Sequence, residues 1–188
     1  AFPGHKGLLG PTGTGALLVH PRVEMSTFQA WREGGTGGDS ASPHQPSEMP
    51  HLLVGGTPNT FGIAGLLAGI RFQNKQKPGA VLAHERALLA RLIERLGADE
   101  RFRIYGTREV SRRAGVLSLT IRDRDTAEVA SILDQAFEIC VRPGLHCAPY
   151  THQALGTFPT GTLRLSPGQF NTLEEADRVV DALREIAG

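Results

Sequence analysis

The sequence predicts an α/β chain whose second part is a small α+β layer, helices packed on one antiparallel or mixed sheet. Three observations carry this. From about residue 100 the apolar patterns run strand, strand, helix, strand, loop, strand, helix, an order that builds segregated layers. Before them, residues 80–96 place Val81, Leu88, Leu89, Leu92, Ile93 and Leu96 on one helical face. The first third has a different character, since 14 of the 23 glycines fall at or before Gly69, which makes it a region of turns and close backbone approaches. The expected division is therefore 1–78 and 79–188.

Taken in order, Ala16-Leu17-Leu18-Val19 is a short apolar run after a glycine-rich turn and predicts a buried strand over 16–19. Residues 34–50 hold only Ala41 and Met49 as apolar members and predict a long exposed loop. Thr57-Pro58-Asn59 opens a helical pattern with Thr57 as N-cap and Pro58 in the first turn. Gly97 closes the helix over 80–96. Strands are expected over 102–105, 116–121, 139–142 and 162–166. Asp125 caps a helix carrying Val129, Ile132, Leu133 and Phe137 at helical spacing. Thr172-Leu173-Glu174-Glu175 is a capping box for a last helix with Val179, Val180, Leu183 and Ile186 inward.

The 188 residues carry 20 Lys+Arg against 19 Asp+Glu, a net charge of +1, so charge gives no reason to expect nucleic acid or an anionic membrane as partner. No apolar run approaches the roughly 20 residues of a bilayer span. No apolar leader follows Ala1-Phe2-Pro3-Gly4-His5-Lys6, and two cysteines make no disulfide framework, so the expected compartment is the cytoplasm.

Three constellations carry chemistry. His5-Lys6 stands between glycines in Gly4-His5-Lys6-Gly7, before Gly10-Pro11-Thr12-Gly13-Thr14-Gly15. A lysine in such a turn is placed to meet a carbonyl, although a lone lysine is more often a solvated surface residue. The run resembles a phosphate loop only superficially, because it lacks the Gly-Lys-Ser/Thr ending. Gly55-Gly56-Thr57-Pro58-Asn59 presents free backbone N–H groups at a helix start, the arrangement that receives phosphate, where the bland alternative is an ordinary capped helix. Arg142-Pro143-Gly144-Leu145-His146-Cys147-Ala148-Pro149, with Arg164 downstream, surrounds a cysteine with basic groups that favour a thiolate. Cys140 lies in an apolar run and reads as packing. The spacing of Cys140, His146, Cys147 and His152 fits no common zinc pattern, so no metal is expected.

Together and in this order these segments resemble the class V aminotransferase and cysteine desulfurase family of pyridoxal 5′-phosphate enzymes, along the whole chain. The resemblance implies the C-terminal part of a fold type I PLP-dependent transferase: 1–78 the incomplete remainder of the large cofactor domain, 79–188 the small α+β domain. It implies Lys6 as the cofactor-bonding lysine and proton carrier, with His5 and Thr57 on the phosphate, Thr57 reaching the partner's site across a homodimer. Arg164 would grip the carboxylate of a small amino-acid substrate, and Cys147 would take its sulfur as a persulfide. His146 either assists Cys147 or shapes its loop, and Arg142 reads as structural. Few residues precede Lys6, and no aspartate, Asp39 included, is assigned to the cofactor's pyridine nitrogen. The expected partners are therefore the missing N-terminal part of the same enzyme, a second copy and a sulfur-acceptor protein, and the chain alone is expected to be inactive. The alternatives are a class V aminotransferase or selenocysteine lyase, for which Cys147 discriminates, a non-catalytic dimerisation or binding module, and a thiol hydrolase using Cys147 and a histidine.

Overall fold

The computed structural model describes residues 1–38 and 41–188, so Asp39 lies outside the described residues. The chain divides into two compact units, Ala1–Gln76 and Lys77–Gly188.

In the first unit, β1 (Phe2–Pro3) pairs antiparallel with β2 (Gly15–Ala16). The expected strand over 16–19 shrinks to this bridge. β1 offers only two residues to pair with, so the ladder ends at Ala16, and Leu17 and Leu18 are exposed. The described residues of 34–50 form neither helix nor strand. Helix α1 (Thr60–Asn74) begins later than expected, because Asn59 rather than Thr57 is the N-cap and its side chain accepts from Gly62 N at 3.0 Å. Asparagine is among the best N-caps, and its use leaves Thr57 and Pro58 outside the helix.

The second unit is a two-layer α/β structure. Helix α2 (Ala80–Gly97) leads into β3 (Phe102–Tyr105) and β4 (Leu117–Ile121), then α3 (Thr126–Phe137) and β5 (Arg142–Gly144). Helix α4 (Pro149–Leu155), β6 (Thr162–Leu165) and α5 (Leu173–Ala187) complete it. The four strands pair in the order β3-β4-β6-β5, all antiparallel. Strict alternation in β4 turns Leu117, Leu119 and Ile121 inward. They meet Leu163 of β6, Leu88, Leu89 and Leu96 of α2, Leu133 of α3, and Val180 and Leu183 of α5 in one core. Arg95 fastens α2 to α5 through Asp177 at 2.8 Å and Asp181 at 2.6 Å.

Both expected N-caps are present. Asp125 accepts from Ala127 N and Glu128 N, and the Thr172/Glu175 box closes in both directions at 3.1 and 2.9 Å. Two differences bear on the site. The strand expected over 139–142 starts only at Arg142: Glu138 turns left-handed (φ 56°) and Ile139 N bonds back to Leu133 O, a helix-closing reversal that sends Ile139 and Val141 to the core margin rather than into a ladder. The expected loop after it contains α4, with Pro149 in its first turn and left-handed Gly156 (φ 69°) ending it.

The rear face of the sheet is polar. One cross-strand row reads Tyr105, Ser118, Arg164, Arg142, the two arginines side by side on β6 and β5.

Candidate active site

In the first unit the turn carrying His5 and Lys6 is fixed by backbone contacts. Gly4 N donates to Thr14 O at 2.7 Å, Gly10 N to Gly4 O at 2.8 Å and Leu9 N to Lys6 O at 2.9 Å. A Cβ on Gly69 of α1 would lie 2.2 Å from Leu8 O, and one on Gly65 would lie 2.6 Å from Pro11 Cγ. The glycine face of α1 thus receives the Lys6 turn at backbone distance, and Gln73 of the same helix donates to Gly7 O at 3.0 Å. The side chains of His5 and Lys6 are exposed. Thr57 is exposed just ahead of α1, after left-handed Gly56 (φ 86°). With the cap supplied by Asn59, the Thr57 hydroxyl has no capping duty.

In the second unit Arg142 ends up beside Cys147. The strand β5 gives way to a four-residue turn, Leu145 to Ala148, closed by Ala148 N donating to Leu145 O at 2.9 Å. Its two central residues, His146 (φ 54°) and Cys147 (φ 60°), are both left-handed. This is the pattern of a type I′ turn, which glycine and asparagine ordinarily fill. For other L-residues it costs about 1–2 kcal/mol each, and such strain collects at functional sites. The turn is held by the His146 ring, whose Nε2 lies 2.9 Å from Arg142 O. A carbonyl only accepts, so Nε2 carries the proton and Nδ1 of the neutral ring is the free base. Burial holds the His146 imidazole below its ordinary value, opposed in part by that hydrogen bond and reinforced by Arg164, His152 and Arg142 nearby. Cys147 is exposed, and Arg142 directs a guanidinium nitrogen to its Sγ at 3.8 Å.

Arg164 stands opposite Arg142 in the ladder, with its Nε buried and unpartnered among the described residues. Beneath the turn, buried His152 of α4 pairs through Nδ1 with the Thr157 hydroxyl at 2.7 Å, its ring 5.7 Å from that of His146. The structure therefore brings Cys147, His146 and Arg164 into one neighbourhood of the second unit and places His5, Lys6 and Thr57 in the first. Sequence reasoning missed the Arg142–Cys147 contact, the left-handed turn and the His152–Thr157 pair. None of these had a local signal of its own; Pro149 and Gly156 mark only the ends of α4, which carries His152.

The profile of the class-V aminotransferases matches residues 1–179. The chain is 35% identical over 190 residues to a probable cysteine desulfurase of Methanothermobacter thermautotrophicus, an alignment covering 100% of this chain and 47% of the relative. It is 34% identical to a cysteine desulfurase of Serratia proteamaculans, covering 98% and 44%. Among solved structures, a cysteine desulfurase from Thermococcus onnurineus superposes with a TM-score of 0.90 at 35% identity, covering 99% of this chain and 46% of that one. One from Escherichia coli, in its S-sulfonic acid form, superposes with a TM-score of 0.82 at 27% identity, covering 98% and 44%. The architecture is thus part of the one these desulfurases share, fold type I. The chain belongs to the class-V aminotransferase family, and it spans about half the length of the curated relatives it matches.

Proposed function

We propose that the chain is part of a pyridoxal 5′-phosphate-dependent cysteine desulfurase, which converts cysteine to alanine and leaves the sulfur on Cys147. The observation that carries this reading is Cys147 itself, exposed at the tip of a strained turn with Arg142 at 3.8 Å and Arg164 across the ladder. The residues fit the cofactor. Lys6 offers an exposed primary amine to its aldehyde, and His5 and Thr57 offer an imidazole and a hydroxyl to its phosphate. The Lys6 turn is set by glycines at Gly4, Gly10 and Gly69, where an added Cβ would collide with neighbours. When bound, the cofactor supplies an electron sink for the bond changes at the substrate's carbons.

In this reading Lys6 Nζ holds the cofactor covalently, then carries a proton to and from the substrate's Cα. His5 and Thr57 hold the phosphate, Thr57 from the partner subunit of a homodimer. Arg164 grips the substrate carboxylate through its planar fork, a bidentate pairing that lysine does not reproduce. The Cys147 thiolate attacks the substrate's Sγ. The new S–S bond forms as the Cβ–S bond breaks, the released electron pair stays with the carbon fragment, and protonation of that fragment gives alanine. The persulfide then passes to a thiol of an acceptor protein. The neutral Nδ1 of His146 can take the proton of the Cys147 thiol or hold it for return.

Residues 1–78 serve in this reading as part of the large cofactor domain and 79–188 as the small domain. The rest of the large domain comes from further sequence of the same enzyme, and the compartment is the cytoplasm. The test is sulfur release from cysteine by the enzyme assembled to the length of its relatives. Cys147→Ser is expected to abolish persulfide and sulfide formation while cofactor absorbance, dependent on Lys6, is retained. Undiminished sulfur release by that variant overturns the reading, and cleavage of selenocysteine alone marks a lyase instead.

A further inference from the structure

We infer that Arg142 is a positioning residue for Cys147: its guanidinium holds the sulfur anion of that side chain, while its ladder neighbour Arg164 is left to the substrate. The inference rests on the reading of Cys147 as sulfur acceptor and deepens it. Sequence alone put Arg142 in the basic surroundings of Cys147 and made it structural rather than catalytic, and its backbone does have a structural part, since its carbonyl anchors His146 Nε2 at 2.9 Å. The side chain does something else. It leaves the β5 edge toward the turn and reaches Cys147 Sγ at 3.8 Å, the contact distance of a charge-assisted N–H···S interaction.

The charges around it point the same way. Arg142 and Arg164 are register partners on adjacent antiparallel strands, and like charges directly opposite one another are destabilising. Among the described residues neither arginine forms an ion pair with a carboxylate, and Arg164 Nε is buried without any partner. Two unneutralised cations side by side form a seat for two anions. The Cys147 sulfur, 3.8 Å from Arg142, occupies one of these places. A thiolate there, and a persulfide after it, meets a fixed positive charge without any rearrangement of the turn, because His146 and the Leu145–Ala148 hydrogen bond hold the backbone independently.

The test needs neither cofactor nor substrate. In the 188-residue chain with Cys140→Ser, so that Cys147 alone reacts, alkylation is followed by intact mass with iodoacetamide, which is neutral, and with iodoacetate, which is an anion. The ratio of the two rates reads the local charge at the sulfur and not the general accessibility of the turn. Arg142→Met is expected to lower the iodoacetate-to-iodoacetamide ratio by about threefold, the attraction of one unit charge several ångströms away in water. Arg142→Lys is expected to restore most of it. A ratio unchanged in Arg142→Met overturns the inference, and so does a ratio that Lys fails to restore. Should the Met variant lose the far-UV spectrum of the parent, Arg142→Gln replaces it under the same criteria. A lowered ratio in an enzyme that releases no sulfur from cysteine sinks the desulfurase reading and keeps the Arg142–Cys147 pairing, whereas full sulfur release with an unchanged ratio sinks only the pairing.

Discussion

Replacing Gly161 with alanine is expected to destabilise the second unit by about 2–5 kcal/mol, the sum of a left-handed conformation without glycine and an overpacked contact. Gly161 has φ +80° between α4 and β6, and an ideal Cβ there would lie 2.2 Å from the carbonyl carbon and oxygen of Gly144 and 2.7 Å from its Cα. These are backbone atoms of β5, whose Gly144 is registered to Thr162 of β6, so no side chain can swing aside. The conformational part is about 1–2 kcal/mol and the overpacking part about 1–3 kcal/mol. Gly156 separates the two. It is also left-handed, φ +69°, but has nothing within 4 Å of an added Cβ, so Gly156→Ala reports the conformational part alone. Urea unfolding followed by far-UV circular dichroism, with the slope checked for constancy, gives both values. Because β5 carries Arg142 and leads into the Cys147 turn, Gly161→Ala is expected to disturb Cys147 alkylation, and Gly156→Ala to leave it closer to the parent. Equal losses of stability in the two variants would refute the reasoning, since the contact with Gly144 would then count for nothing.

The folded state holds His146 below its ordinary value of 6.5, with burial as the first cause. The fold thus favours the neutral ring, and that stability is complete above pH 6.5 and lost as pH falls through the lower folded value. The urea midpoint is expected to drop on acidification below pH 6.5, and His146→Gln to flatten that drop; an identical pH slope in the variant counts against it. The Asp99 carboxyl is lowered from 3.8 to about 2, first by its side-chain hydrogen bond from Arg101 and then by the Arg101 backbone N–H. Its contribution is present above pH 3.8 and lost as pH falls through about 2. Acid titration of Asp99→Asn is expected to show lower stability than the parent above that window and convergence at its acid end, whereas a constant gap would place the effect elsewhere.

What the sequence disclosed depended on whether the deciding interaction was local. Leu88, Leu92 and Leu96 repeat at helical spacing, and Asp125, Thr172 and Glu175 cap helices from within four residues, so α2, α3 and α5 were legible. Ile139 and Val141 look like a strand, but Glu138 reverses the chain before them and the ladder begins only at Arg142. Thr57 has the residue type and the place of a cap, but Asn59, two residues on, takes the same helix end. The motif around Cys147 was legible as chemistry, though not as geometry. Nothing in a His-Cys pair announces two left-handed residues, and nothing local places Arg142 against Cys147 or opposite Arg164. Those relations come from strand register.

The two units hold their candidate residues by different physics. In residues 77–188 the Cys147 turn hangs from a sheet whose other face is a closed core of leucines, so its strain has a rigid support. In residues 1–76 the buried positions are Gly4, Leu52, Gly62 and Gly69, which leaves Leu52 as the one large apolar side chain buried there among the described residues. Helix α1 gives its glycine face to the Lys6 turn, while Phe61 is 91% exposed and Ile63 and Leu67 are exposed as well. A helix apolar on both sides belongs in an interior, and a segment of this size without a core does not offset the entropy of ordering it. The Lys6 turn is therefore shaped by backbone contact within its unit, with no apolar core of that unit's own to rest on among the described residues. Under the proposed function this ties cofactor binding to completion of the fold: the amine that must be held most accurately sits in the part of the chain least able to hold itself.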